Sequence, residues 1–229
     1  MKDQIRVEVG EYGLMRRLVG EGEAALMAFD PPYNTGKRYA ERKGVVGGGD
    51  RLSEVEYRRM AFDVAKMGIE IAGGRMAVVL SRKVLPIWVT AFQTAGLDVQ
   101  VVVVLKRAAG VLQRGMVGQW IPVVVTCAPV ADVKVKDVWD DVRVPGEGYF
   151  FREGRWPGHP APTSVELMTR IVRGWSREGE LVVDPFCGCG ATALACLRLG
   201  RRFVGVDREQ RFVEGIVDRI AMETEQEKT

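Results

Sequence analysis

The segment AFDPPYNTG, residues 28–36, begins with the last two residues of an apolar run at 24–29 that predicts a buried strand. Its two prolines each restrict φ and lack a backbone N–H, so neither a sheet nor a helix continues through them. The chain must leave the strand in a stiff turn that holds Asp30 and Tyr33 at the carboxyl end of the strand, where open α/β sheets bind ligands. The Asp30 carboxylate and the Pro31 carbonyl are suited to accept hydrogen bonds from a planar amino group. The Tyr33 ring is suited to stack on the base that carries this group.

A glycine-containing turn follows a second predicted strand, at 181–184. The turn has the sequence DPFCGCG at 184–190 and leads into an apolar helix predicted at 191–199. Gly188 and Gly190 allow a ligand to approach the backbone closely, and the N-terminus of the helix favours negative charge. This combination predicts a site for a nucleotide-like cofactor.

The next predicted strand, at 203–206, ends at Asp207. An acid in this position is placed to accept hydrogen bonds from ribose hydroxyls. Ala193 stands where a complete dinucleotide fingerprint has its third glycine, and Asp184 opens the turn with a second acid. Both features disfavour an NAD site.

The two turns together resemble the motifs of a known enzyme family. Asp30-Pro31-Pro32-Tyr33 resembles the catalytic motif of S-adenosylmethionine-dependent DNA amino methyltransferases, which modify adenine N6 or cytosine N4, and the turn at 184–190 resembles their cofactor loop. The resemblance implies S-adenosylmethionine as the cofactor and DNA as the partner. By this resemblance the catalytic residues are Asp30, Pro31, Pro32 and Tyr33, and the cofactor-binding residues are Asp184, Phe186, Gly188, Gly190, Asp207, Glu11 and Asp30.

Two positions depart from the pattern of that family. Glu11 stands after the first predicted strand, where the family more often has Asp, and its alternative role is a carboxylate favoured by a helix N-terminus. His159-Pro160 resembles a His-Pro segment of the family. A few residues beyond it the family usually has Lys-Pro or Phe-Pro, whereas Thr163 and Ser164 stand here. Thr163 with Glu166 is interpreted as a capping box that opens a helix.

The order of the motifs bears on the fold. The catalytic motif precedes the cofactor motif, and the helix predicted at 209–222 would lead back to the strand predicted at 5–9. The resemblance therefore implies the circularly permuted beta class, with a Rossmann-like α/β fold and a mostly parallel sheet covered by helices on both faces. It implies one domain at 1–229, made of a catalytic half at 1–105 plus a strand at 121–127, a small target-recognition insertion at about 106–158 and a cofactor-binding half at 159–222.

Two local patterns support this architecture. The run at 99–105 is apolar on both faces and predicts a strand covered by helices on both sides. Ser53 with Glu56 predicts a capping box at the start of a helix that ends at Gly73.

A basic, glycine-rich loop at 34–50 follows the catalytic motif. Within residues 37–43 four cations oppose one acid, Glu41, so the loop is predicted to contact a phosphate backbone; the alternative is an ordinary solvated loop. The insertion offers further basic and aromatic candidates at Arg143, Arg152, Arg155, Tyr149 and Trp156. The residues predicted to bind nucleic acid are Lys37, Arg38, Arg42 and Lys43.

Composition excludes several other classes of protein. The net charge is only +3, which permits nucleic-acid binding without demanding it. His159 is the only histidine, so a histidine pair or triad is excluded, and the four cysteines lack metal-site or disulfide spacing. No signal sequence or membrane-spanning run is recognisable, so we expect a cytoplasmic protein without metal. A homodimer or a separate recognition partner stays open, as does a companion restriction enzyme.

The sequence defines the type of reaction more closely than it defines the target base or the type of nucleic acid. Asp at position 30 favours adenine N6, because the cytosine enzymes of the family more often have Ser there. Cytosine N4 is the nearest alternative, followed by adenine in RNA. A nucleic-acid-binding module without catalysis and a small-molecule dehydrogenase are alternatives of other classes, and the dehydrogenase predicts stabilisation by NAD rather than by S-adenosylmethionine.

Overall fold

The architecture is a single mixed sheet between two layers of helices. The computed structural model describes residues 4–34, 52–105, 112–113, 116–117, 119–142 and 163–226. The strands are β1 (Ile5–Val9), β2 (Leu26–Phe29), β3 (Met76–Val79), β4 (Gln100–Leu105), β5 (Leu112–Gln113), β6 (Met116–Val117), β7 (Trp120–Val125), β8 (Val138–Trp139), β9 (Leu181–Asp184) and β10 (Arg202–Asp207). The helices are α1 (Met15–Leu18), α2 (Glu54–Ala72), α3 (Leu85–Thr94), α4 (Val165–Trp175), α5 (Ala191–Arg198) and α6 (Gln210–Gln226), with a 3₁₀ turn at Tyr12–Leu14.

The described residues form a sheet of eight strands in the order β1-β10-β9-β2-β3-β7-β4-β8. The strands from β1 to β3 in this order run parallel, and β8 runs parallel to β4. Only β7 is antiparallel to its neighbours. The prediction of a mostly parallel α/β sheet is therefore confirmed. A separate short hairpin pairs β5 with β6.

Alternation along the central strands divides the core into two layers. Every residue of β2, β3 and β9 is buried. Met27 and Phe29 face the cluster that includes α2 and α3, whereas Leu26 and Ala28 face the cluster that includes α4 and α5. A sheet buried on both faces needs apolar side chains at every position, which explains the continuous apolar runs in the sequence.

The cover is incomplete at β4, contrary to the prediction from the run at 99–105. Val101 and Leu105 are each 38% exposed, although Val102 and Val104 are buried. The physical reason is position in the sheet, because β4 lies next to the short terminal strand β8 rather than at the centre.

Helix α2 approaches the sheet closely at a glycine. A Cβ atom at Gly68 would lie 2.2 Å from Met76 Sδ and 2.8 Å from Met27 Cε.

The predicted capping box is present, since Ser53 Oγ accepts from the Glu56 N–H and the Glu56 carboxylate accepts from the Ser53 N–H. The helix therefore begins at a defined residue immediately after the segment 35–51.

The capping prediction for α4 was wrong by one residue. Ser164, not Thr163, is the N-cap, and its Oγ accepts a hydrogen bond from the Leu167 N–H. The Thr163 hydroxyl instead donates to the Asp30 carboxylate. Two adjacent hydroxyls are equivalent as local caps, and the distant carboxylate decides between them.

The carboxyl ends of five parallel strands meet at one edge of the sheet. The first strand, β1, pairs in register with β10, the last strand, and Gly10 N–H donates to the Asp207 carbonyl just beyond them. Strand β9 lies between β10 and β2, so the two predicted motifs become neighbours. The circular permutation and the division into halves and an insertion stay predictions.

Candidate active site

A cavity of about 510 Å³ lies at this edge of the sheet. Its volume is in the range of pockets that bind small molecules and cofactors. The wall contains all the predicted catalytic residues and all the predicted cofactor-binding residues except Gly190, which adjoins it. The predicted residues in the wall are Glu11, Asp30, Pro31, Pro32, Tyr33, Asp184, Phe186, Gly188 and Asp207.

Asp30 directly follows β2 and is half-buried in the wall of the cavity. The Thr163 hydroxyl donates to Oδ2. Oδ1 is buried and accepts no hydrogen bond from the described residues. A buried acceptor without a donor is costly in the free protein, so this atom is placed to receive a donor from a ligand.

Burial also changes the acidity of this carboxyl. It raises the pKa of Asp30 from 3.8 to about 7, while hydrogen bonding by the Thr163 and Tyr33 side chains acts to lower it. A group that titrates near neutral pH on the wall of a cavity is a candidate for a functional residue. It is partly protonated at pH 7 and becomes a full acceptor above that pH.

A buried relay supports the catalytic turn from behind. The Trp88 Nε1–H donates to the Tyr57 hydroxyl oxygen at 3.1 Å, and the Tyr57 hydroxyl donates to the Pro32 carbonyl at 2.6 Å. Tyr57 and Trp88 are fully buried. The relay occupies the Pro32 carbonyl, whereas no donor among the described residues reaches the carbonyl of Pro31. The role of the Pro31 carbonyl as an acceptor for the target amine stays a prediction.

Asp184 shapes the turn at 184–190. Its Oδ1 accepts from the Phe186 N–H at 2.9 Å, and its Oδ2 accepts from the Thr192 hydroxyl at 2.6 Å. The residue is 3% exposed. Burial raises its pKa to about 7 against these hydrogen bonds, and the neighbouring Asp30 raises it further. Asp184 therefore contributes to a cofactor site chiefly by holding the loop in shape.

Asp207 ties the same loop to the neighbouring strand. Its Oδ2 accepts from the Gly188 N–H and its Oδ1 accepts from the Glu209 N–H, both at 2.9 Å. Burial raises the pKa of Asp207, and these two N–H groups oppose that rise. Each oxygen keeps a further lone pair, so the carboxylate can still accept from ligand hydroxyls.

Aromatic rings line the wall between the two motifs. Phe186 lies with its ring centroid 5.6 Å from that of Tyr12 and 5.8 Å from that of Phe29. Glu11 is exposed, lines the cavity and makes no side-chain cap for the turn that it precedes. The alternative role of Glu11, a carboxylate favoured by a helix N-terminus, and its role as a cofactor ligand both stay predictions.

The ends of the basic loop are held together beside the catalytic turn. Asn34 Nδ2–H donates to the Leu52 carbonyl, and Asn34 Oδ1 accepts from the Leu52 N–H, both at 3.0 Å. Lys83 Nζ–H donates to the Asn34 carbonyl at 2.6 Å. The residues predicted to contact nucleic acid lie outside the described residues: Lys37, Arg38, Arg42, Lys43, Arg143, Tyr149, Arg152, Arg155 and Trp156.

Sequence reasoning missed several residues of the site. Tyr12 and Met168 line the cavity, and Tyr57 and Trp88 hold the turn. None of them belongs to a motif, because an aromatic or methionine in a helical pattern also fits an ordinary core. Thr163 carried a signal, since it stands where the related motif has a different residue, but the local pattern suggested a cap instead.

The C-terminal part of the chain is similar in sequence to known DNA methylases. Residues 123–218 match the model of the N6/N4 group described as DNA methylase. A type II methyltransferase of Streptococcus pneumoniae, M2.DpnII, is 34% identical over 93 residues, which cover 40% of this chain and 32% of the relative. Residues 123–218 are therefore homologous to the N6/N4 DNA methylases.

Solved structures of N6/N4 methylase fold extend the similarity to the remainder of the chain. TTHA0409 from Thermus thermophilus, complexed with S-adenosyl-L-methionine, has a TM-score of 0.64 at 22% identity and covers 95% of this chain and 93% of its own. The cytosine-N4-specific PvuII DNA methyltransferase has a TM-score of 0.69 at 15% identity, with coverages of 94% and 86%. These likenesses concern the fold. The sequence match spans about a third of the length of the curated relatives.

The described part of the chain has neither a membrane helix nor a metal cluster. No helix there has the length and apolar character needed to cross a bilayer. The same residues bring together no group of three His, Cys, Asp or Glu side chains that could hold a metal ion.

We expect the ligand-free protein to lose stability as the pH rises from about 5 to about 8. Asp30 and Asp184 have folded pKa values of about 7, above the ordinary 3.8. Between about pH 4 and 7 the folded state therefore holds protons that the unfolded state has lost, and the free energy of unfolding falls as pH rises. Asp30→Asn removes one of these titrations. It should raise the melting temperature at pH 8 by about 5 °C and change it little at pH 5.

Thermal melts across this pH range measure the effect. Asp141→Asn is the matched surface control, because Arg170 holds the pKa of Asp141 at about 2 and its charge is favourable in the folded state. That variant should gain nothing at pH 8. Identical pH dependence of melting in the wild type and Asp30→Asn would contradict the expectation.

Proposed function

We propose that this chain transfers the methyl group of S-adenosylmethionine to the exocyclic N6 amine of adenine in DNA. The observation that carries the proposal is the unpartnered, buried Asp30 Oδ1 in the same cavity as the turn at 184–190. Asp30, which can accept a hydrogen bond from an amine, thus lies in the same cavity as a glycine-containing turn suited to a nucleotide-like cofactor. The match of residues 123–218 to the DNA methylase model and the similar structure bound to S-adenosyl-L-methionine support the coarser proposal of methyl transfer to an exocyclic amine.

The residues present fit the proposed cofactor. Asp207 has acceptor capacity for ribose hydroxyls, and Glu11 lies across the cavity for a base amine. Gly188 leaves the backbone open to close approach, and Phe186 supplies an apolar ring. S-adenosylmethionine supplies an electrophilic methyl group on a positively charged sulfonium.

The catalytic turn would act on the target amine. The lone pair of an exocyclic amine is delocalised into the ring, so this nitrogen is a weak nucleophile. Asp30 Oδ1 and the Pro31 carbonyl would accept its two N–H bonds, orient the nitrogen and favour the geometry in which its lone pair is available. Tyr33 would stack on the base. The ionised Asp30 carboxylate would then receive the proton that the amine loses.

A base inside a duplex cannot reach this buried carboxylate. The target base would have to leave the stack, at a cost of a few kcal/mol. The basic loop that follows Asn34 is proposed to contact the phosphate backbone through Lys37, Arg38, Arg42 and Lys43. A homodimer or another recognition partner would supply sequence specificity that a short insertion does not provide.

The test is methyl transfer from labelled S-adenosylmethionine to unmethylated DNA, followed by digestion to nucleosides and chromatography. Label in N6-methyldeoxyadenosine is the expected result. Label in N4-methyldeoxycytidine would overturn the choice of base, and label only with an RNA substrate would overturn the choice of polymer. Binding of the cofactor without transfer to either polymer would contradict catalysis, and stabilisation by NAD alone would indicate a dehydrogenase.

A further inference from the structure

The chain places a second polar side chain behind Asp30 that the catalytic motif does not contain. Thr163 stands 133 residues away in sequence, immediately before the N-cap of α4, and its hydroxyl donates to Asp30 Oδ2. The contact joins the start of a helix on one face of the sheet to the carboxyl end of β2.

The position of Thr163 is well defined by its surroundings. Ser164 caps α4 through the Leu167 N–H, and Leu167 and Met168 are buried against the sheet. Helix α4 packs on β2 itself, so the helix start and the strand end are held in one arrangement. The hydroxyl of Thr163 is thus presented to Asp30 by two packed elements rather than by a free loop.

The contact divides the two oxygens of the carboxylate between two tasks. Thr163 occupies Oδ2, while Oδ1 is buried without a donor among the described residues, and Asp30 lines the cavity. Without the hydroxyl, the carboxylate could rotate about its last torsion and would lose a donor that favours its ionised form. Either change would weaken Oδ1 as an acceptor for the target amine.

We propose that Thr163 is a positioning residue for the methyl-transfer reaction. It holds the Asp30 carboxylate in one orientation and favours its ionised form, so that Oδ1 accepts the N–H of the target amine. The inference rests on the proposed function, because it assigns to Thr163 a role in the same site.

Other groups around the carboxylate set its titration as well. Tyr33 acts on it from the turn, Asp184 faces it from the end of β9, and Cys189 lies nearby in the cofactor loop. The second acid has a threonine of its own, since Thr192 donates to Asp184. The remaining charged residues of the cavity wall are Glu11, Glu56, Arg59, Asp207, Arg208, Glu209 and Arg211.

The test compares Thr163→Val, which keeps the volume and removes the hydroxyl, with Thr163→Ser, which keeps the hydroxyl. We expect Thr163→Val to lower kcat for methyl transfer at pH 7 about tenfold and to move the acidic limb of the pH–rate profile to higher pH. KM for DNA and for S-adenosylmethionine should change much less than kcat. Thr163→Ser should have close to the wild-type kcat, and the acidic limb of its pH–rate profile should lie at the wild-type pH.

A matched control lies in the same helix. The Thr169 hydroxyl donates to the Val165 carbonyl within α4 at 2.7 Å, away from the carboxylate. Thr169→Val removes a hydroxyl of the same kind and should leave the rate and the pH profile unchanged. Equal losses in Thr163→Val and Thr163→Ser, or an unmoved acidic limb in Thr163→Val, would overturn the positioning role.

A measurement without catalysis separates this proposal from the proposed function. Carbon-13 NMR of protein labelled at aspartate carboxyls follows the titration of Asp30, with its signal assigned by loss in Asp30→Asn. We expect Thr163→Val to raise the pKa of Asp30 above the wild-type value and Thr163→Ser to leave it close to that value. A raised pKa in a protein that methylates no nucleic acid would refute the function alone, whereas an unchanged pKa would refute the role of Thr163.

Discussion

Replacing Asp30 with alanine is expected to reduce methyl transfer by roughly a thousandfold or more, while the affinity for S-adenosylmethionine changes less than about threefold. The substitution removes the buried Oδ1 acceptor and the proton acceptor in one step. The Pro31 carbonyl remains, but a single acceptor cannot orient both N–H bonds of the amine. The loop at 184–190 keeps its own hydrogen bonds from Asp184 and Asp207, so cofactor binding has no reason to fall in proportion.

Single-turnover transfer and calorimetric binding of the cofactor measure the two quantities separately. Asp30→Asn is the informative companion, because it keeps an oxygen acceptor and the volume but cannot take the proton. We expect its rate to lie between those of alanine and the wild type. Asp141→Ala, at an exposed ion pair with Arg170, is the control for a lost surface carboxylate. A parallel loss of methyl transfer and cofactor binding in Asp30→Ala would contradict the assignment of transfer to Asp30 and of cofactor binding to the loop at 184–190.

The second large effect is expected at the cofactor loop, where Gly190→Ala should weaken binding of S-adenosylmethionine by roughly tenfold or more. Gly190 has φ +80° and precedes α5 as its N-cap. A Cβ atom there would lie 2.7 Å from Ile216 Cγ1, and Ile216 is fully buried in α6. The loop must therefore shift away from α6 or change its backbone conformation, and either movement displaces Gly188 and Phe186.

Gly179→Ala separates the clash from the backbone strain. Gly179 has φ +79°, almost the same as Gly190, but a Cβ atom there meets nothing within 4 Å, and the residue lies away from the cavity. We expect Gly179→Ala to cost about 1 to 2 kcal/mol of stability and to leave cofactor affinity unchanged. Circular dichroism must show that Gly190→Ala is folded at the temperature of the binding experiment. Wild-type affinity in folded Gly190→Ala would place the cofactor elsewhere.

The two acids at the site predict that stability and the proposed methyl transfer oppose each other. Asp30 and Asp184 are buried at the ends of neighbouring strands, and burial keeps the pKa of each at about 7. An unpartnered Oδ1 destabilises the free protein, yet the same atom is what a donor on the substrate would satisfy. A variant that becomes more stable at pH 8 is therefore expected to be a poorer enzyme.

Local sequence determined the features whose causes are local. The prolines after Asp30 end β2 whatever packs around them, and continuous apolar runs are required of strands covered on both faces. The capping box at Ser53 and the left-handed Gly73 that ends α2 involve residues only a few positions apart. The motifs at 30–33 and 184–190 could be placed at strand ends for the same reason.

Tertiary structure alone decided which distant side chains meet. Asp30 and Thr163 are 133 residues apart, and Tyr57 reaches the Pro32 carbonyl across 25 residues. Sequence predicted that Thr163 caps α4, because two neighbouring hydroxyls offer the same local hydrogen bond. The position of β2 beneath α4 gave one of them a buried carboxylate, which leaves Ser164 as the cap. Periodicity and capping depend on spacing along the chain, whereas the partners of a buried carboxylate depend on which elements the sheet brings together.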